Sequence, residues 1–205
     1  CDVSLGPENE NSIENLIKNI KKDIGDLDFV VHALAYSDKE ELKGKYVETS
    51  RQNFLSTLDI SAYSFTRISK SASKIMTNGG SLLTLTYIGS NKTTPHYNVM
   101  GVAKAALETS VKYLSVDLGK KNIRVNAISA GPMKTLAGAA ISGARHVYRY
   151  SEKIAPLQKN PNLEQVGNAA LYLLSDISSG VTGLTHYVDG GLKVVGIPNQ
   201  DLVNI

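Results

Sequence analysis

The amino-acid sequence predicts an α/β fold: a doubly wound parallel sheet with helices on both faces. Two observations carry this prediction. Short apolar runs of strand length alternate with longer segments of helical periodicity, and the alternation repeats along the chain without a linker or a low-complexity tract. Strands that are joined through helices make right-handed crossovers and therefore pair in parallel. We expect residues 1–205 to form a single domain.

The helices are predicted from apolar residues that recur at spacings of three and four. In the first helix these are Ile13, Leu16, Ile17 and Ile20, and Gly25 ends the helix because glycine readily leaves the helical conformation. The predicted helices cover residues 12–24, 51–76, 97–119 and 163–175, with a further helical stretch that ends near residue 155.

The strands are predicted from near-continuous apolar runs, which are typical of parallel strands covered on both faces. They cover residues 27–36, 81–88, 123–129 and 184–188, and the polar stretch 37–45 is expected to be a loop. Open parallel sheets bind ligands beyond the carboxyl ends of their strands. We therefore expect functional residues in the loops that follow Ala33, Thr86 and Ser129.

Composition excludes several classes of protein. With 42% apolar residues, 20% charged residues and a net charge of +3, the chain is globular and shows no nucleic-acid-binding footprint. No apolar run has the length of a membrane span, and the single cysteine excludes an internal disulfide. The four histidines lack metal-ligand spacing, so we expect no metal site, and His32 is expected to be a buried structural histidine. These features favour a cytoplasmic protein.

Two tyrosines and a lysine are the candidate catalytic residues. Tyr87 ends a predicted strand, Tyr97 begins the next helix, and Lys104 follows seven residues later. Seven residues are nearly two helical turns, so Tyr97 and Lys104 share a face at about 10 Å along the axis. A ribose could fill that gap, because the lysine ammonium can donate to both of its hydroxyls. Alternatively, Lys104 belongs to a surface stripe with Glu108 and Lys112, in which residues four apart form ion pairs.

Four segments of the sequence resemble bacterial NADH-dependent enoyl-acyl-carrier-protein reductases, which belong to the short-chain dehydrogenase/reductase superfamily. The spacing of Tyr97 and Lys104 is the specific part, because most superfamily members carry lysine four residues after the tyrosine, where this chain has Gly101. The resemblance implies a Rossmann-like fold and extends from residue 1 to about 192. The segments are residues 83–89, 95–105, 124–135 and 188–191.

The resemblance implies a role for each catalytic candidate. Tyr97 would hydrogen-bond the thioester carbonyl oxygen while NADH delivers hydride to the β-carbon, and the developing enolate would be stabilised as in an oxyanion hole. Lys104 would hold the nicotinamide ribose. Tyr87 and Ser37 would line the acyl-substrate site, and a substrate-binding segment at about 134–160 would be inserted within the domain.

The resemblance also implies cofactor contacts and partners. Asp2 and Val3 would lie near the adenine, and Leu34 would follow the first strand. The substrate partner would be an acyl carrier protein, which is acidic, and Arg145 and Arg149 either offer it a basic spot or form a solvated face. Members of the family are usually cytoplasmic homotetramers. The residues along the nicotinamide and pyrophosphate would be Met133, Lys134, Thr135, Leu136 and Ala137.

The sequence departs from the family pattern at its start, where the first strands and a Gly-rich turn are expected. We predict that the natural protein is longer. Without the expected first strands, residues 27–34 would form an unpaired apolar edge. Two other functions stay open. One is a short-chain carbonyl or alcohol dehydrogenase, which Gly101 disfavours, and the other is a non-catalytic scaffold protein derived from a truncated reductase.

Overall fold

Four parallel strands form one sheet in the order of the sequence. The computed structural model describes residues 11–135 and 143–202. In the register, Val31 lies opposite Leu83, and Leu83 lies opposite Asn126. The parallel sheet predicted from the sequence is therefore confirmed. The strands are β1 (Phe29–His32), β2 (Gly80–Thr86), β3 (Ile123–Ala130) and β4 (Thr185–Val188).

The helices lie between the strands, as the periodicity predicts. Gly25, with φ of 108°, follows the first helix and turns the chain toward β1. The helices are α1 (Ser12–Asp23), α2 (Lys39–Leu42), α3 (Arg51–Leu58), α4 (Ser64–Ala72), α5 (Asn98–Gly119), α6 (Ala144–Ile154) and α7 (Leu163–Leu174).

Two segments between β1 and β2 differ from the sequence prediction, one predicted as a helix and one predicted as a loop. The helix predicted over residues 51–76 contains a π-helical turn, Asp59–Tyr63, between α3 and α4, and α4 ends at Ala72. The stretch predicted as a loop contains α2, because the Asp38 side chain accepts a hydrogen bond from the backbone N–H of Glu40 and caps this short helix. Local side-chain capping, which hydrophobic periodicity does not record, accounts for α2.

β1 is shorter than the apolar run that predicts it. The strand ends at His32, although the apolar run continues to residue 36. Ser61, in the π-helical turn, explains the difference. Its hydroxyl accepts a hydrogen bond from the N–H of Tyr36 and donates one to the Tyr36 carbonyl, both at 2.9 Å. The backbone at Tyr36 is therefore held by a helix and not by the neighbouring strand.

Apolar side chains cover both faces of the sheet. On one face, Phe65 of α4 and Leu107 and Val111 of α5 pack against Leu82 and Val125 of the strands. The opposite face carries a smaller cluster. It contains Leu83, Ile128, Val166 and Leu173, with α7 as its helix. In the described part of the chain, no helix combines the length and apolarity needed to cross a membrane.

Two apolar side chains of β1 are exposed. Phe29 is 52% exposed and Val31 is 45% exposed, and β1 is the outermost strand of the described sheet. An exposed apolar edge strand is a hazard for association with other chains.

His32 connects the sheet to α4 through a buried hydrogen-bond chain. Its Nδ1 lies 2.9 Å from the Thr84 hydroxyl, and its Nε2 lies 2.8 Å from the Ser64 hydroxyl. The Ser64 hydroxyl also donates to the carbonyl of Ile60, and the Thr84 hydroxyl donates to the carbonyl of His32. Burial lowers the pKa of His32 to about 4, with the charge of Lys104 acting in the same direction. The prediction of a structural histidine is confirmed.

The depressed pKa of His32 makes stability depend on pH. Because the unfolded histidine takes up a proton near pH 6.5 and the folded one near pH 4, stability falls as the pH drops through that window. The part due to His32 is at most about 3 kcal/mol. Urea denaturation at pH 7 and pH 4.5 should show a smaller acid loss for His32→Gln than for the wild type. His146→Gln, at an exposed position, should keep the full acid loss.

Candidate active site

The two candidate tyrosines meet at the carboxyl ends of the strands. Tyr87 directly follows β2, and Tyr97 directly precedes α5. Their rings are 5.1 Å apart between centroids and meet edge to face at 64°. Tyr97 is 7% exposed, so its phenol lies inside the protein. The structure thus brings Tyr87 and Tyr97 together where parallel sheets bind ligands.

The backbone on both sides of Tyr97 is in the left-handed region. His96 has φ of 58° and Asn98 has φ of 38°, which is uncommon for residues other than glycine. The Asn98 amide stabilises this conformation by donating to the carbonyls of Leu42 and Gly44. Strained backbone of this kind is concentrated at functional sites.

Two glycines make room for the Tyr97 ring. A Cβ at Gly89 would lie 2.4 Å from Cδ1 of Tyr97, and a Cβ at Gly101 would lie 2.7 Å from the carbonyl oxygen of Gly89. Both distances are too short for real atoms. Position 101 is where most short-chain dehydrogenases carry their lysine, so this backbone cannot accommodate that arrangement.

Lys104 is buried at the end of β2. The side chain is 6% exposed, and Nζ donates to the carbonyl oxygen of Leu85 at 2.8 Å. Burial lowers the pKa of Lys104 to about 8, against the opposing charge of Glu108. The alternative in which Lys104 belongs to a surface stripe of ion pairs is therefore wrong. A buried ammonium group is instead available near the carboxyl end of β2.

Both tyrosines are kept protonated. Burial raises the pKa of Tyr97 strongly, and the nearby Tyr87 and Glu108 raise it further. Burial also raises the pKa of Tyr87, although a hydrogen bond from Thr94 opposes that change. At neutral pH each phenol is therefore a hydrogen-bond donor.

Glu108 takes part in the site in a way that the sequence did not indicate. Its carboxylate accepts hydrogen bonds from the side chains of Thr86, Ser90 and Asn91. The helical spacing assigned Glu108 to a lysine stripe, but its donors come from the segment that contains Tyr87. Thr86 and Ser90, the hydroxyl residues on either side of Tyr87, were the feature of the sequence that could have indicated these hydrogen bonds.

The segment after β1 lies at the same sheet edge. Ser37 is held from α3, where the Thr57 hydroxyl donates to the Ser37 hydroxyl at 2.9 Å. The Asn53 side-chain oxygen accepts from the backbone N–H of Asp38 at 3.0 Å. Leu34, which is 40% exposed, precedes this anchored stretch. Asn53 and Thr57 were not identified from the sequence because apolar periodicity detects only the apolar residues of a helix.

The segment after β3 is described in part. Met133 packs on the cluster between β3 and α7, and Lys134 places Nζ 5.1 Å from the ring centre of Tyr148 in α6. The N–H of Thr135 bonds to the Met133 carbonyl. The other predicted cofactor contacts lie outside the described residues. They are Asp2, Val3, Leu136 and Ala137.

A cavity of about 450 Å³ opens beside Tyr87. Pro95, Val147, Tyr150 and Ile154 give it a largely apolar wall. It lies between Tyr87 and α6, so a mainly apolar ligand in it would contact Tyr87.

Asp189 has a structural role. Its carboxylate accepts hydrogen bonds from the N–H groups of Gly191 and Lys193 in the turn after β4. Arg145 and Arg149 are both exposed on α6. Among the described residues, no group of histidine, cysteine and carboxylate side chains could hold a metal ion.

The fold and the site define a class of protein. A Rossmann-like parallel sheet with a tyrosine and a lysine at its carboxyl edge is the arrangement of the short-chain dehydrogenase/reductase superfamily. The family model described as Enoyl-(Acyl carrier protein) reductase matches residues 1–193. The chain belongs to that family.

Individual relatives agree with this assignment. The chain is 54% identical to "Enoyl-[acyl-carrier-protein] reductase [NADH] 1" of Rhizobium meliloti over 205 residues, which is all of this chain and 74% of that protein. A crystal structure of the reductase from Anaplasma phagocytophilum in complex with NAD has a TM-score of 0.92 at 53% identity, covering all of this chain and 75% of its own. The Bacillus cereus reductase with NADP⁺ and indole naphthyridinone has the same TM-score at 44% identity, covering 96% and 75%.

The close packing of Gly89 against Tyr97 can be tested by substitution. Gly89→Ala places a methyl group where the Tyr97 ring lies, so we expect a loss of about 1–3 kcal/mol of unfolding free energy from overpacking. Urea denaturation measures this loss. Gly119→Ala on α5 is the matched control, because a Cβ there meets no atom within 4 Å. Equal stability of the two variants would contradict the packing argument.

Proposed function

We propose that this protein reduces the trans-2 double bond of enoyl-acyl-carrier-protein thioesters with NADH, as in fatty-acid elongation. The observation that carries the proposal is the group formed by half-buried Tyr87 with buried Tyr97 and Lys104 at the carboxyl ends of the strands. Membership of the reductase family and relatives named as NADH-dependent enzymes support the same activity.

Lys104 has the hydrogen-bonding capacity that a nicotinamide ribose requires. An ammonium group has three donors, and the Leu85 carbonyl accepts one of them. Two donors can therefore meet the two ribose hydroxyls. When bound, NADH supplies the hydride for the reduction.

Tyr97 stabilises the negative charge that develops on the substrate. Its protonated phenol donates a hydrogen bond to the thioester carbonyl oxygen, and that bond strengthens as the oxygen becomes enolate-like. The edge-on contact with Tyr87 fixes the Tyr97 ring, so the donor is oriented before the substrate binds. Tyr87 and Ser37 line the acyl site. The adjoining cavity has a largely apolar wall, which suits an acyl chain.

The remaining cofactor residues are proposed from the resemblance. Asp2 and Val3 would meet the adenine, and Leu34, after the first strand, would also contact the cofactor. The chain after β3 would run along the nicotinamide and pyrophosphate. Within a single domain of residues 1–205, the segment at about 134–160 would cover the substrate. The contacts after β3 would be Met133, Lys134, Thr135, Leu136 and Ala137.

The partner and assembly proposals rest on surface features. The exposed Arg145 and Arg149 of α6 suit an acidic acyl carrier protein. The exposed Tyr113 and Val116 of α5, which are 72% and 76% accessible, suit a homotetramer contact. We also propose a cytoplasmic location. The alternative of a carbonyl or alcohol dehydrogenase gains no support, because Gly101 leaves no space for that lysine.

The role of Tyr97 is tested with Tyr97→Phe in the complete gene product. The substitution removes the hydroxyl that stabilises the enolate, so kcat for a crotonyl thioester should fall by about 10²–10³-fold. NADH oxidation measured at 340 nm gives the rate. Tyr63→Phe, at an exposed tyrosine outside the proposed site, is the control and should keep the wild-type rate. Wild-type turnover by Tyr97→Phe, or reduction of a 3-oxoacyl thioester in place of the crotonyl thioester, would refute the assignment.

The role of Lys104 is tested through pH. Its ammonium loses the proton near pH 8, and the donors to the ribose decrease with it, so kcat/KM for NADH should decline above that pH. Lys104→Met should raise the KM for NADH by about 10–100-fold, as expected for a lost charged hydrogen bond. The decline of kcat/KM for NADH at high pH, the alkaline limb of the pH profile, should also disappear in this variant. If Lys104→Met retained the wild-type KM and pH profile, this residue would not hold the cofactor.

A further inference from the structure

The carboxylate of Glu108 accepts three hydrogen bonds from one short segment of chain. Oε1 accepts from the Thr86 hydroxyl at 2.7 Å and from the Ser90 hydroxyl, and Oε2 accepts from the Asn91 amide at 3.2 Å. Hydrogen bonds to a charged acceptor are about twice as strong as neutral ones. Glu108 therefore holds the end of β2 and the turn after it on α5.

This segment carries Tyr87. Thr86 directly precedes Tyr87, and Ser90 and Asn91 follow it within four residues, so Glu108 binds the chain on both sides of the tyrosine. Glu108 is also one helical turn after Lys104 on α5, the helix that Tyr97 begins. One carboxylate thus connects the three residues of the proposed site, although no hydrogen bond links it to any of their side chains in the described structure.

The network continues to β4. The Asn91 amide also donates to the Tyr187 hydroxyl at 3.2 Å, and Nζ of Lys193 lies 3.8 Å from the centre of the Tyr187 ring. Asn91 is thereby oriented from two sides, which fixes the donor that it presents to Glu108.

The charge of Glu108 also acts on the site. Among the described residues, the titratable groups whose charges interact with Lys104 are His32 of β1 and Glu108 of α5, and Glu108 also acts on Tyr97, which packs on Tyr87. Neutral His32 and the protonated phenols carry no charge near pH 7. Glu108 is therefore the negative group that favours the ammonium form of Lys104, and it raises the pKa of that residue against the effect of burial.

We propose that Glu108 is a positioning residue of the reductase: its carboxylate fixes Tyr87 against Tyr97 and keeps Lys104 charged for the cofactor. This inference rests on the proposed function, and it assigns two separable effects to one side chain. The hydrogen bonds set the geometry, whereas the negative charge sets the protonation of Lys104.

The test uses Glu108→Gln in the complete gene product, which keeps the size of the side chain and removes its charge. The rate of crotonyl-thioester reduction should fall about tenfold, since a misplacement of one ångström can cost more than that. The alkaline limb of kcat/KM for NADH should move to lower pH by roughly one unit, because Lys104 loses its counter-charge. A purely structural residue would not move that limb.

Three further variants separate geometry from charge. Thr86→Val combined with Ser90→Ala removes two of the three donors to Glu108 and retains the carboxylate, so kcat should fall with the alkaline limb unmoved. Glu108→Asp keeps the charge and should restore the wild-type limb. Asp117→Asn removes a negative charge from the same helix at about 20 Å from Lys104, and its activity and pH profile should match the wild type.

Several outcomes overturn the inference. An unchanged rate and profile in Glu108→Gln would remove Glu108 from the site, and a reduced rate with an unmoved alkaline limb would leave it a structural role alone. If Glu108→Gln fails to fold, Glu108→Asp with a shifted limb overturns the electrostatic part. These results differ from failure of the proposed function, in which the wild type itself would not reduce the crotonyl thioester.

Discussion

The burial of the Lys104 ammonium against the Leu85 carbonyl is the interaction on which the site depends. A buried charge is costly unless it is paired or hydrogen-bonded, and the Leu85 carbonyl meets one of its three donors. The helix that carries Lys104 must therefore dock at the end of β2, and docking in this register places Tyr97 over the chain that contains Tyr87. Glu108 compensates the same charge from one turn further along.

Backbone contacts restrict this arrangement more than the side chains do. Gly89 and Gly101 approach each other and the Tyr97 ring so closely that neither position tolerates a Cβ. The left-handed residues on both sides of Tyr97 add a second restriction, and Asn98 stabilises it through carbonyls near α2. The backbone of Tyr97 is consequently restricted by its left-handed neighbours, and its ring is held by packing on Tyr87.

Much of the fold and the centre of the site could be predicted from the sequence, because apolar periodicity reports burial directly. It located all four strands and the long helices. It missed the early end of β1, where the Ser61 hydroxyl holds the backbone of Tyr36, and it did not indicate the π-helical turn. It also misassigned Glu108, because spacing along one helix cannot reveal donors contributed by a distant strand.

The contact between Gly89 and Gly101 has a consequence for divergence within the superfamily. Transfer of the lysine from position 104 to 101 would bring its Cβ against the Gly89 carbonyl, so the loop after β2 would have to move before the exchange could be tolerated. The position of the lysine on α5 and the path of the loop after β2 are thus linked, and a replacement at position 101 alone does not fit this backbone.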